Sequence, residues 1–172
     1  IGAVVSEGTV NQNTVCFDNT DYDWATCVAE DFGSATGLQT VSRSKPNGGL
    51  GTTPVMNASV HSRTLATWMA NNFGRTSFNK TLPAWILDAP DEFVAGLLQT
   101  YFDGDGNVQA VSGHHRLCCH SVSEELIMML CLCLARYGIV SCVGTEAYKT
   151  PAGRPGTIQR LTIPLCYAHK FQ

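Results

Sequence analysis

The sequence predicts an α/β (α+β) protein made of two pseudo-symmetric αββαββ halves. Three observations lead to this prediction. Segment 91–105 has apolar residues at helical spacing and ends in an acidic residue. Segment 1–7 is a shorter helix that also ends in an acidic residue. Strand-like segments and a further helix follow each of these helices in the same order. The predicted halves are residues 1–90, including a linker, and residues 91–172.

The first half continues with a strand at 13–18 and a helix at 21–32 that stops at Gly33. Apolar residues at positions i, i+3 and i+4 predict the inward face of this helix. The predicted inward residues are Trp24, Cys27 and Val28.

Two strands and a helix complete the first half. The strands cover 38–45 and 53–60, and turn-forming residues at 46–49 join them. The helix covers 62–72 and stops near Gly74. Its predicted inward residues are Leu65, Trp68 and Met69, and we expect Trp24, Trp68 and Trp85 to be core residues.

The second half repeats this order after the linker at 75–90. Its predicted elements are a helix at 91–105, strands at 107–111 and 116–121, a helix capped by Ser121 or Ser123 that runs to about Tyr137, strands at 140–149 and 157–164, and a reduced last helix at 166–172.

The end of the 91–105 helix is electrostatically unusual. Asp103 and Asp105 lie at the helix C-terminus, where each carboxylate is disfavoured by about 0.3–1 kcal/mol. Gly104 and Gly106 predict a left-handed helix end. Free backbone carbonyls point the same way as the carboxylates. Together these oxygens predict a site that a hard divalent cation would stabilise.

Composition limits the class of protein. The 172 residues include 11 basic and 14 acidic residues, so the net charge is −3. No apolar segment reaches membrane-spanning length, so we expect no membrane partner. The eight cysteines contain no CxxC pattern, which favours reduced thiols in an intracellular protein of the cytoplasm or nucleus. Any nucleic-acid binding must come from local basic patches and should be modest and salt-sensitive.

Four ordered segments carry a family resemblance. Residues 98–106 (LQTYFDGDG) resemble the LAGLIDADG signature of homing endonucleases, and residues 1–8 resemble a first copy whose start is cut off. Residues 79–83 resemble the Lys-x-Ile/Leu-Pro block of that family, and residues 124–140 resemble its closing helix. The form FVAGLLQTYFDGDG is most similar to the endonuclease domains embedded in inteins.

The resemblance implies a single-chain homing-endonuclease fold with a DNA-binding β-saddle. It implies a monomeric, site-specific double-strand DNA endonuclease that uses Mg²⁺ on a long asymmetric target. Glu7 and Asp105 would be the catalytic and metal-binding carboxylates, although Glu7 departs from the Asp of the signature. The carbonyls of Ser6 and Gly104 would add metal ligands. Lys80 would be the catalytic lysine, and Lys170 is the candidate for its counterpart in the second half.

Basic residues and histidines on the predicted strands and turns would contact DNA. These residues are Arg43, Lys45, His114, Arg116, His120, Lys149, Arg154 and Arg160. Periodicity does not determine which strand face points toward DNA. The low basic content leaves two alternatives open. One is a catalytically inactive DNA- or RNA-binding protein, such as a maturase or regulator, and the other is a non-functional intein remnant.

Overall fold

The computed structural model describes residues 1–46, 53–111, 114–149, 153 and 155–171. Most of the predicted turn at 46–49, the predicted DNA contact Arg154 and the side chain of His114 lie outside this description. Within the described residues, five α-helices and two four-stranded antiparallel sheets form the fold. No helix in this part of the chain has the length and apolar character needed to cross a membrane.

The helices and strands follow the predicted order. The α-helices are α1 (Gly2–Glu7), α2 (Tyr22–Thr36), α3 (Arg63–Phe73), α4 (Asp91–Asp105) and α5 (Glu124–Arg136). The strands are β1 (Gly8–Val10), β2 (Thr14–Asn19), β3 (Thr40–Lys45), β4 (Val55–His61), β5 (Asn107–Val111), β6 (His114–Ser121), β7 (Cys142–Lys149) and β8 (Pro155–Pro164). Short 3-10 helices cover Ser77–Asn79, Ala84–Asp88 and Leu165–Phe171.

The two sheets share one topology. Their strand orders are β1-β2-β4-β3 and β5-β6-β8-β7, and neighbouring strands are antiparallel. The prediction of two similar αββαββ halves is confirmed. Strand β1 was not predicted, because three residues give too little alternation to detect.

Two compact units contain these sheets. The first consists of Ile1 and Ala3–Thr76, and the second consists of Gly2 and Ser77–Gln172. The segment Ser77–Pro90, which the sequence analysis counted with the first half, therefore groups with the second unit.

Helix α2 is longer than predicted. Asp21 caps its N-terminus by accepting a hydrogen bond from the Trp24 backbone N–H at 3.0 Å. The helix continues through Gly33 and ends at Gly37, whose φ of 65° is left-handed. The predicted stop at Gly33 is wrong, because only Gly37 has the backbone conformation that terminates the helix.

The predicted inward faces of α2 and α3 are mostly wrong. Alanines and phenylalanines form most of the buried face of each helix, since small residues let the helix backbone approach the sheet closely. Trp68 is 43% exposed, Trp85 is 42% exposed and Trp24 is half-buried, so these side chains cover the core edge. The residues that α2 and α3 bury are Ala25, Ala29, Phe32, Ala66, Met69 and Phe73.

Helix α5 organises the second unit. The Ser123 side chain caps its N-terminus by accepting from the Leu126 N–H at 3.2 Å. At the other end, Arg136 Nη1 donates to the carbonyls of Leu87 at 3.0 Å and Ala89 at 2.9 Å. Arg136 also pairs with Asp91, the first residue of α4. This single guanidinium therefore joins α5 to the segment that leads into α4.

A glycine follows the acidic residue that ends α1 and α4. The N–H of Gly106 donates to the Phe102 carbonyl at 2.8 Å, and the N–H of Gly8 donates to the Val4 carbonyl. Both glycines are extended, with φ of −77° and −83°, so the predicted left-handed end at Gly106 is wrong. A Cβ would lie 2.2 Å from the Phe102 oxygen at Gly106 and 2.3 Å from the Val4 oxygen at Gly8. Close backbone approach therefore requires glycine at both positions.

We predict that Gly106→Ala lowers the free energy of unfolding by more than about 1 kcal/mol, because the new Cβ would displace a backbone carbonyl. Gly96→Ala, in the middle of the same helix, is the matched control. Its Cβ would meet nothing within 4 Å, so this change should stabilise by about 0.5–1 kcal/mol. Denaturant unfolding followed by circular dichroism measures both effects, and equal stability changes would contradict the close-approach argument.

Candidate functional site

Asp105 is the last residue of α4, and its side chain is half-buried. Burial raises the pKa of this carboxyl above its ordinary value, while the positive charge of Lys80 and the nearby Tyr101 hydroxyl oppose the rise. The carboxylate also lies at the negative end of the helix dipole. The fold therefore holds an acidic group where its ionised form is poorly solvated, which is a frequent property of functional sites.

Tyr101 lies one turn before Asp105 and is fully buried. Its hydroxyl has no partner among the described residues that meets the distance and angle of a hydrogen bond. Burial first, and then the nearby Cys119 and Asp105, raise the pKa of Tyr101 well above its ordinary value. Burial, with Asp105 next in importance, also raises the pKa of the Cys119 thiol to about 12. A buried hydroxyl with spare hydrogen-bonding capacity therefore lies near the Asp105 carboxylate.

Lys80 is 8% exposed, although it belongs to the segment before α4 that contains only short 3-10 helices. Ser123 fixes its backbone, because Ser123 Oγ donates to the Lys80 carbonyl at 2.6 Å while accepting from the Leu126 N–H. The helix cap of α5 thus positions the lysine whose charge acts on Asp105. Sequence analysis predicted both Lys80 and the cap, but it did not predict their connection.

The other predicted catalytic lysine lies elsewhere in the second unit. Lys170 is exposed, and its Nζ donates to the carbonyls of Tyr137 at 2.6 Å and Gly138 at 3.4 Å, at the C-terminus of α5. This contact is favourable because the C-terminal end of a helix attracts positive charge. The role of Lys170 as a second catalytic lysine stays a prediction.

The remaining predicted metal ligands lie at the ends of α1 and α4. Glu7 is the half-buried last residue of α1, and Ser6 is buried, with its hydroxyl donating to the Ala3 carbonyl at 3.3 Å. Gly104 lies half-buried in the last turn of α4. Within the described residues, no group of three or more His, Cys, Asp or Glu side chains is arranged to hold a metal ion. A cation bound at the end of either helix would need backbone carbonyls and water as ligands in addition to a carboxylate.

One face of the first sheet lies opposite the helix-covered core and presents polar side chains. Val15 and Phe17 point into the core, so the alternating residues Cys16 and Asp18 lie on the opposite face, which we call the open face. On this face Lys45 Nζ pairs with Asp18 Oδ2 at 2.8 Å. Asn57 Nδ2 donates to Asp18 Oδ1 at 2.7 Å. The predicted DNA contact Lys45 is therefore held by a carboxylate.

The second sheet has an equivalent open face. His120 opposes Arg160 in the β6–β8 pairing, and Arg160 pairs with Glu146 of β7. His120 Nε2 lies 3.9 Å from the second oxygen of Glu146. Arg116, on the same face, donates to Gln109 at 3.2 Å. Lys149 has the other parity on β7 and is exposed near the end of the hairpin.

Sequence reasoning missed several members of these clusters. Tyr101 appeared only as part of an apolar helical stripe, and Cys119 appeared as a buried thiol. Asn57 was not predicted, because strand register and not single-strand periodicity places it opposite Asp18. The contact of Glu146 with Arg160 likewise depends on the register of β7 and β8.

The second half of the chain matches a known family. Residues 92–172 match the family model described as LAGLIDADG-like domain. This half of the chain is a LAGLIDADG-like domain. Solved structures have the same fold. One is a variant of the homing endonuclease I-DmoI in complex with its target DNA in the presence of manganese, with a TM-score of 0.64, 12% identity and coverage of 99% of this chain and 87% of that one.

Other similar proteins are of different kinds. The N-terminal LAGLIDADG domain of DUF199/WhiA matches with a TM-score of 0.61 and 10% identity, covering 99% of this chain and 75% of that one. The DNA-directed RNA polymerase subunit Rpo1C of Methanocaldococcus jannaschii is 34% identical over 171 residues, or 99% of this chain and 18% of that protein. The DNA polymerase II large subunit of Thermococcus kodakarensis is 34% identical over 67 residues, or 38% of this chain and 4% of that protein.

We predict that Ser123→Ala destabilises the protein more than Ser62→Ala does. Both serines cap a helix, so each change should cost about 0.5–2 kcal/mol. Ser123→Ala also removes the buried hydrogen bond to the Lys80 carbonyl, worth a further ~1 kcal/mol. Chemical denaturation compares the two variants, and equal losses would show that the Lys80 contact adds no stability.

Proposed function

We propose that this chain is a site-specific double-strand DNA endonuclease of the homing type that requires Mg²⁺. The observation that supports it most is the environment of Asp105. This carboxylate is partly desolvated at a helix C-terminus, near the charge of a buried lysine and near the buried Tyr101 hydroxyl. Such an arrangement is unfavourable for stability alone, and a bound cation would relieve it.

The residues of the second unit are compatible with one part of a magnesium site. Mg²⁺ is usually held by one or two carboxylates and keeps several waters. Asp105 supplies one carboxylate, and the last turn of α4 supplies carbonyl oxygens such as that of Gly104. The Tyr101 hydroxyl could donate to a water or oxygen near Asp105, because it has no described partner that meets hydrogen-bond geometry. When bound, such an ion lowers the pKa of water and stabilises the leaving oxygen of a phosphodiester.

We assign the protein side chains as follows. Asp105 and Glu7 each bind cation through a carboxylate, with the carbonyls of Gly104 and Ser6 as additional ligands. Lys80 places its ammonium where negative charge develops on the phosphate. Its burial and its charge effect on Asp105 support this role. Lys170 remains the candidate for the second lysine, and its contacts at the end of α5 give it less support than Lys80 has.

We infer that duplex DNA binds the open faces of the two sheets as a β-saddle. Arg43, Lys45, Arg116, His120 and Arg160 lie on these faces by strand alternation. Two four-stranded faces in one chain would suit a long asymmetric target and a monomeric protein. Lys149, Arg154 and His114 remain proposed contacts.

We also propose an intein origin for this domain. Two polymerases with different activities each contain a short segment similar to this chain, amounting to 18% and 4% of their lengths. A similar segment inside different hosts is the distribution expected of an inserted element. The activities of those polymerases need not belong to this chain, because it spans only a small part of each.

A second candidate function is a DNA- or RNA-binding protein that no longer cleaves, such as a maturase or regulator. The Glu at position 7 favours it over cleavage, since its longer side chain changes the geometry of a metal site. The net charge of −3 weakens both cleavage and binding, because nucleic-acid-binding domains are usually basic. A remnant without either activity is the third candidate. Cleavage and binding assays distinguish the three.

Asp105→Asn should abolish nicking and cleavage of a cognate duplex while leaving binding within about twofold of the wild type. The amide keeps the shape of the side chain but removes the charge that would hold the cation. Asp103→Asn, an exposed neighbour in the same turn, is the matched control and should still cleave. Cut sites selected from a plasmid library of randomised sequence provide the substrate. Cleavage by the Asp105→Asn variant at wild-type rate would exclude the assigned role.

Asp105→Asn should also raise the melting temperature at neutral pH without divalent ions. Burial raises the folded-state pKa of Asp105, so its stability contribution is present below the unfolded-state pKa and is lost as pH rises through the folded-state pKa. The variant avoids this loss. Its advantage should therefore shrink as pH falls from about 7 to about 4.

At neutral pH, magnesium should raise the melting temperature of the wild type above that of Asp105→Asn, because only the carboxylate binds the ion strongly. Differential scanning calorimetry with and without Mg²⁺ tests both statements. A magnesium-induced rise of equal size in both proteins would argue against Asp105 as a ligand.

A further inference from the structure

The same set of three neighbouring positions on each open face contains an ion-paired carboxylate. In the first sheet Asp18 of β2 faces Asn57 of β4 and pairs with Lys45 of β3. In the second sheet the corresponding positions are occupied by His120, Arg160 and Glu146. The correspondence follows from register. Lys45 pairs with the residue two before Asn57, and Glu146 pairs with the residue two before Arg160.

The acid and the cation occupy different positions of this set in the two sheets. The acidic residue lies on the inner strand β2 in the first sheet and on the outer strand β7 in the second. Each nevertheless contacts the nearest cation, Lys45 or Arg160. A carboxylate that pairs with a cation on the open face therefore recurs in two different arrangements of side chains.

These ion pairs are partly desolvated and still accessible. The side chains of Lys45 and Asp18 are 40% and 41% exposed, and those of Arg160 and Glu146 are 28% and 40% exposed. Glu146 contacts Arg160 through Nη1, so other N–H groups of this partly exposed guanidinium remain for another acceptor.

We propose that Asp18 and Glu146 restrain Lys45 and Arg160 on the sheet surface and thereby lower the affinity of the protein for duplex DNA of any sequence. This inference rests on the proposed DNA-binding function. A cation that is paired in this way cannot extend to a phosphate without losing its partner, and the carboxylate itself repels phosphate. Base edges remain available to the restrained cation, since direct readout needs a fixed side chain and not a mobile one. The carboxylates therefore lower the affinity for duplex DNA of any sequence and increase the dependence of binding on sequence.

The test measures binding of a fluorescently labelled duplex pool of random sequence, without divalent ions, by anisotropy at several salt concentrations. Glu146→Gln and Asp18→Asn should each bind roughly fivefold tighter than the wild type. The slope of log affinity against log salt should become steeper by about 0.9, because one more phosphate is neutralised. Sites selected from the pool by Glu146→Gln should share less sequence than those selected by the wild type.

Two controls distinguish the effect of freeing the cation from the effect of changing the net charge of the protein. Glu30→Gln, exposed on α2, which covers the core side of the first sheet, makes the same charge change away from the open face of that sheet and should leave affinity within about twofold. The double variant Glu146→Gln/Arg160→Gln should lose the gain of the single variant. Thermal melts confirm that each variant is folded, and the Glu146 series remains decisive if Asp18→Asn is unstable through its lost bond to Asn57.

The outcomes are distinct. If the wild type binds DNA and Glu146→Gln binds with the same or lower affinity, this proposal alone is overturned. An equal gain in affinity from Glu30→Gln would also overturn this proposal alone. Absence of salt-dependent binding in the wild type and in every variant would overturn the proposed function as well.

Discussion

A carboxylate at the C-terminal end of a helix is the constraint on which the second unit depends. The helix dipole and the free carbonyls there oppose a negative charge, and burial opposes it further. The fold nevertheless holds Asp105 in this place through a tight backbone return at Gly106 and a buried lysine nearby. The charge of Asp105 therefore lowers the free energy of unfolding, and contacts elsewhere in the unit offset this loss. This pattern is typical of sites that bind something.

Both ends of α5 contribute to that compensation. At its beginning, Ser123 joins the helix cap to the backbone of Lys80. At its end, Arg136 joins the helix to the carbonyls of the 3-10 segment before α4. The segment that leads into α4 has little regular structure, yet these contacts fix it at two places. A buried lysine can thus lie in a segment with little regular structure and still have a defined position.

The sequence alone predicted the features that depend on residues close together along the chain. The bounds of α4, the cap at Ser123 and the repeated order of elements follow from periodicity, capping residues and turn chemistry. Family resemblance added the acidic residue and the lysine of the site. Neither approach gave the environment of Asp105. Cys119 reaches it through tertiary packing, and Tyr101, one turn away in the same helix, counted only as an apolar residue. The predicted inward faces of α2 and α3 were mostly wrong for a different reason, the weak signal of alanine. Alanine has little hydrophobic signal, but it is the residue that permits close helix–sheet contact.

The two open faces place their ion pairs on different strands. In the first sheet the cation lies on the outer strand β3 and its acid on β2, whereas in the second sheet the acid lies on the outer strand β7 and its cation on β8. Opposite charges on neighbouring strands stabilise each arrangement. Two sheets of one topology therefore present different chemistry at matching positions. Under the proposed function, a duplex with two identical half-sites would meet different side chains on the two sheets, so the half-sites of a matching duplex are expected to differ.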